Sequence, residues 1–225
     1  MIKYVFLILP LFFTLNLHGQ IKNGNEIIGL TINKNIKTEV EKHISDLKEF
    51  DKLNNKIQVY DNSVFIEAYE NDSLIFNSNI KPIKRIFKSF YLWQGDTLKI
   101  DGAFGLFTGF GFEIKVYKNK AVLYHMLSSD ESPAYAYKEK DSLIFRLEVP
   151  CIETKIILSE IPDNYRNQII YGYVEFKSRN YYSSGGSVDG KEILPRKKQR
   201  DNMRIYFKSS KLDLKPEPSD QKKVY

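Results

Sequence analysis

From residue 57 onward the chain alternates short apolar runs with polar turns: IQVY, VFIEAY, SLIF, FEIKVY, AVLYHML, TKIILS and QIIYGYVEF follow one another. No sustained helical period runs through them, so about a dozen strands are expected. The connections are too short to hold the crossover helices of a parallel sheet, which predicts antiparallel hairpins and a meander. Some runs, such as Leu74, Ile75 and Phe76, are apolar on both faces of a strand. Strands of that kind are expected to be covered on both sides, which favours a sandwich or a closed barrel over one sheet with a wet face.

One helix is expected ahead of the strands. In TEVEKHISDLKEF (residues 38–50), Val40, Ile44 and Leu47 fall on one stripe, and Thr38 with Glu41 reads as a capping box. EIIGLTI (residues 26–32) reads as a first strand. The expected fold class is therefore mainly β, with antiparallel hairpins forming a sandwich or closed barrel and one N-terminal α-helix.

AYENDSLIF (residues 68–76) and AYKEKDSLIF (residues 136–145) repeat one phrase, and WQGDTLKI (residues 93–100) is a looser third copy. The flanks of the first two do not match, so a duplicated domain is not supported. Reused hairpin chemistry explains the repeat, since Asp accepts hydrogen bonds from backbone N–H groups two residues on and β-formers then open the returning strand. The three Asp-Ser/Thr-Leu steps also resemble the acceptor pattern of general O-glycosylation systems that modify exported proteins in some bacteria. That resemblance makes Ser73, Thr97 and Ser142 candidate modification sites.

The chain opens MIKYVFLILPLFFTLNLHGQ, a basic start, an apolar run and a small residue before Gln20. Such a run is too short for a membrane-spanning helix and reads as a signal peptide. The organisation expected is a signal peptide over residues 1–19, one β-rich globular domain over 20–208 and a polar, disordered tail over 209–225. Secretion or a periplasmic location follows. A lipoprotein does not, because the only cysteine, Cys151, lies far from the cleavage site.

Charge is uneven along the chain. Residues 20–190 hold 22 Lys and Arg against 23 Asp and Glu, a balance of −1, while residues 191–225 hold 11 against 5, a balance of +6. Arg196, Lys197, Lys198 and Arg200 are candidate contacts to an anionic surface. Export argues against a nucleic-acid partner.

The residues available for catalysis are few. Beyond the signal peptide only His43 and His125 remain, in neither HExxH nor any other ligand spacing, so no metal or cofactor is expected. Cys151 with His125 is the one candidate nucleophile pair, though VPCIE lacks the helix N-terminus that lowers a thiol pKa. His125 shares a strand face with Leu123 and Leu127, which suits a buried, hydrogen-bonded histidine. In DGAFGLFTGFGFEI (residues 101–114) the glycines do not form a phosphate-binding pattern. They fit a bent strand closely approached by its neighbours. Phe104, Phe107, Phe110 and Phe112 are then candidates for an aromatic mouth that admits an apolar ligand. The expected role is non-catalytic: binding of a small apolar ligand, an envelope component or a protein partner. The alternatives are a hydrolase using Cys151, His125 or carboxylates, and an outer-membrane-associated structural protein.

Overall fold

The structure, a computed structural model, describes residues 27–45, 48–51, 56–59, 62–79, 89–104, 108–188 and 191–212. Its N-terminal part holds β1 (Ile28–Gly29), β2 (Thr31–Ile32), α1 (Ile36–Ser45), and the hairpin of β3 (Lys48–Asp51) with β4 (Lys56–Val59). Then come β5 (Asn62–Glu70), β6 (Ser73–Asn77), β7 (Ser89–Gln94), β8 (Thr97–Phe104), β9 (Thr108–Tyr117) and β10 (Lys120–Ser129). After the short β11 (Tyr135–Ala136), two longer strands follow, β12 (Arg146–Leu158) and β13 (Ile170–Ser178). The remainder is β14 (Tyr181–Ser183), the small hairpin of β15 (Ser187–Val188) and β16 (Lys191–Glu192), and β17 (Lys197–Lys211).

The result is the mainly β fold expected, in its sandwich-like form and with one helix among the described residues. One layer runs β1-β10-β9-β8-β7, and the other is centred on β17 between β5 and β13, with β6, β12, β14, β11 and β2 outside them. Leu98, Ile100, Ile114 and Leu123 of the first layer meet Val64, Val174, Ile205 and Phe207 of the second in one buried core. Burial of each such side chain contributes about 1.5–3 kcal/mol. The outer face of the second layer is closed by α1, whose Ile36, Val40 and Ile44 pack on Tyr173, Ile157 and Tyr206.

Two strands belong to both layers. The first five residues of β12 pair with β10 and its later ones with β13, the change falling near an irregularity at which Glu153 takes a left-handed φ of 51°. Bulged, bent strands are the usual corners between packed sheets. At the other side β17 leaves β5 after Phe207, and Ser210 and Lys211 pair in parallel with Phe90 and Tyr91 of β7. A hydroxyl contact between the buried Ser89 and Ser209 adjoins this seam.

Three tight turns carry the chain between neighbouring strands. Asn71-Asp72 and Lys118-Asn119 are two-residue loops with both central φ values positive, and Gly95-Asp96 is a third two-residue loop. Positive φ at both positions gives the turn twist that matches flanking strands.

The structure departs from the sequence reading at several points. The helix begins at Ile36, so Thr38 lies inside its first turn. Asn33 organises its start by accepting bonds from Asn35 N–H with its side chain and from Ile36 N–H with its carbonyl. It ends at Ser45, because Lys48–Asp51 is taken by a strand pair; Leu47 lies outside the described residues. The turn read as Lys118 to Lys120 holds only two residues, since Lys120 pairs with Tyr117. The sheet is mixed, with two-residue parallel pairings of β2 with β12 and β7 with β17. The run TKIILS is not a strand of its own, since it forms the end of the longer β12. Leu74, Ile75 and Phe76 are not covered on both sides: they are 50%, 58% and 48% exposed on β6, an edge strand whose one partner among the described residues is β5. Of the candidate basic residues, Lys197, Lys198 and Arg200 lie at the start of β17, and the expected boundary at residue 208 falls inside that strand.

Candidate functional site

His125 and Asp201 meet between the layers. His125, fully buried on β10, sets Nδ1 3.1 Å from the Gly111 carbonyl oxygen and Nε2 2.9 Å from Asp201 Oδ2 on β17. The carbonyl can only accept, so Nδ1 carries a proton. Asp201 Oδ2 is shared: it meets Nε2 and, at 2.8 Å, accepts from the Tyr181 hydroxyl. The arrangement is a buried histidine–carboxyl pair with a phenol donating to the shared carboxyl oxygen. Ser178 Oγ accepts from the Asp201 amide, fixing the backbone beneath the carboxylate.

Glycines let this geometry form. Gly111 on β9 stands opposite Ala103 of β8, where an added Cβ would run into the Gly102 carbonyl, and a Cβ on Gly102 would run into the Phe112 ring. The close approach expected for the Gly-Phe stretch is thus present, and it positions the carbonyl that holds His125.

A cavity of about 320 Å³ opens beside the network. Ile66, Ala68, Phe76, Phe110 and Leu127 give it apolar walls, while Tyr135, Tyr181, Gln199 and Asp201 gather polar groups. Its size lies at the lower end of small-ligand sites, about 300–1,000 Å³. Burial first, and the negative charge of Asp201 second, raise the pKa of both Tyr135 and Tyr181. Both phenols therefore stay protonated donors. No Lys, Arg or His lines this cavity among the described residues.

The candidate residues scatter. Phe110 lines the cavity, Phe112 instead packs on Phe207 in the core at a ring separation of 5.0 Å, Phe104 ends β8, and Phe107 lies outside the described residues. Cys151 is buried, its thiol held well above the usual range chiefly by that burial, and its Sγ contacts the Val149 carbonyl at 3.7 Å. Both ring nitrogens of His125 are taken by Gly111 and Asp201, so the imidazole has no free nitrogen to receive a thiol proton. This is not the geometry of an activated nucleophile. Ser73 and Ser142 are exposed next to turns and Thr97 is half-buried. The aspartates before them do not make the expected bond two residues on: Asp72 pairs with Lys198 at 2.9 Å, and Asp141 accepts from the Lys138 amide, three residues back.

The four basic residues are engaged. Arg196 forks onto Glu192 and donates to the Glu139 and Asp141 carbonyls, Lys197 pairs with Glu70, Lys198 with Asp72, and Arg200 lies 4.4 Å over the Tyr69 ring. Instead of forming a free anion-binding patch, these side chains tie β17 to its neighbours.

Asp201 was missed in the sequence. Its signal was an acid two residues before Met203 on the strand face that continues through Ile205 and Phe207, an inward carboxylate that needs a partner. Among the described residues no cluster of three or more His, Cys, Asp or Glu is arranged to hold a metal, and no helix is long and apolar enough to cross a membrane. Compared with protein-family models, curated proteins and solved structures, the chain matches none.

Proposed function

We propose that this chain is an exported, non-catalytic module that takes one small, largely apolar ligand into the cavity between the sandwich layers. The observation that carries the reading is the cavity itself, apolar over most of its wall and bounded at one side by the polar network of His125, Asp201 and Tyr181. A site of that kind is suited to holding a molecule, and its histidine and cysteine lack the relation that acyl transfer requires. Export rests on the apolar leader over residues 4–17 and the small residue before Gln20, which lie outside the described residues. N-terminal sequencing of the protein recovered from its host tests that part, and a chain still beginning at Met1 would refute it.

Titration with the neutral fluorophore 1-aminoanthracene tests the binding reading. One saturable site is expected, lost in Ala68→Phe, which fills the cavity from β5. Unsaturable binding, or binding unaffected by Ala68→Phe, overturns it.

Glycan acceptance is a second reading, favoured at Ser73 and Ser142 because both are exposed next to turns. Intact-mass measurement of the host-exported protein should then show added sugar that Ser73→Ala and Ser142→Ala together remove. A mass equal to the bare polypeptide refutes it.

A further inference from the structure

The polar side of the cavity defines the ligand's head group. Asp201 uses Oδ2 for both His125 and Tyr181, and its Oδ1 has no hydrogen-bond partner among the described residues, although Asp201 lines the cavity. Gln199 spends its amide N–H groups on Glu70 and Ser183, leaving its oxygen as an acceptor. Acceptors therefore outnumber the one phenol here that does not already donate to Asp201, Tyr135, and a head that donates suits this pole best. An anionic head is disfavoured twice over: among the described residues the lining holds one carboxylate and no cation, and a buried charge without a partner costs several kcal/mol. A cationic head is disfavoured too, because Asp201 already has His125 as its partner 2.9 Å away and a buried cation added beside them would be left uncompensated.

Resting on the proposed binding role, we infer that the cavity takes a neutral alcohol: an apolar body against Phe76, Phe110 and Leu127, with a hydroxyl donating to Asp201. Fatty-acid-like carboxylates, which an apolar cavity alone would accept, are excluded by the head-group chemistry.

Three probes with the same body separate the outcomes: 1-octanol, octylammonium and octanoate, each titrated against the full chain by displacement of 1-aminoanthracene and by calorimetry at neutral pH. Octanol is expected to bind at least roughly tenfold more tightly than either charged probe, the equivalent of about 1.4 kcal/mol. Asp201→Asn, checked for folding by circular dichroism, should bring octanol and octanoate to within about threefold of each other. Octanoate or octylammonium binding as well as octanol to the unmodified protein overturns the head-group inference and leaves the binding role standing. Failure of all three to displace the fluorophore, with the fluorophore itself unbound, sinks the binding role as well.

Discussion

His125 Nε2 and Asp201 Oδ2 stand 2.9 Å apart, joining β10 in one layer to β17 in the other, two strands that share no backbone pairing. Removing one member of a buried pair leaves the other uncompensated, at a cost of about 3–5 kcal/mol, whereas replacing both by apolar groups costs far less. His125→Leu and Asp201→Leu should each lower stability strongly in urea titrations, and the double variant should be more stable than the sum of the two losses requires. Additive losses would show that the two residues act separately.

Gly111→Ala should be as damaging as a buried truncation, at about 2 kcal/mol or more, although it adds only a methyl group. The new Cβ would meet backbone of β8, which cannot swing aside as a side-chain tip can, and the Gly111 carbonyl would shift from His125 Nδ1. In a double-mutant cycle, Gly111→Ala and His125→Leu should therefore be coupled, and independence would argue against the link.

Asp101 and Glu113 face each other across β8 and β9, with Lys99 and Lys115 alongside. Burial first and the Glu113 charge second raise the Asp101 carboxyl to about 6, while Glu113, despite its own burial, is lowered by its bonds to Lys115 and Lys99. Between about pH 4 and 6 the folded chain holds a proton on Asp101 that the unfolded chain has released, so this group's contribution to stability falls as pH rises through the window. Asp101→Asn should remove that slope and stabilise the fold above pH 6 by roughly 2 kcal/mol. Chemical denaturation at pH 4, 5, 6 and 7 reads it, and an unchanged slope counts against the assignment.

Ile75 is 58% exposed on an edge strand that carries no charged residue from Ser73 to Asn77. Such an edge invites pairing between chains. Ile75→Lys should raise the concentration at which light scattering appears while changing stability by no more than about 0.5 kcal/mol. A large loss of stability would mean that Ile75 is packed.

The strand-rich architecture was legible because turns and apolar runs are local signals, and Asn71-Asp72 and Lys118-Asn119 supplied the residues those turns need. The edge position of β6 was not legible. Three consecutive apolar residues read the same in a central strand as at an edge, and only the long-range pairing of β5 with β17 leaves β6 outside. His125 could be read as buried from Leu123 and Leu127, yet its partner lies on a strand 76 residues away. The basic cluster misled for the opposite reason. A run of like charges in sequence looks like one patch, whereas its side chains find separate acids on β5, on the Asn71-Asp72 turn and on β16.

β17 sits between β5 and β13 and also touches β7 and β14, so four strands wait on the one that, among the described residues, is made after all the others. On a ribosome, β5 and β13 have no common neighbour until residues 197–211 emerge, and the two layers lack one of their two joins. Completion of this fold is thus a late, long-range event, of the kind that makes β-rich chains slow to reach the native state. During synthesis the emerging polypeptide remains without its central strand, exposing apolar surface for a chaperone to hold until residues 197–211 arrive.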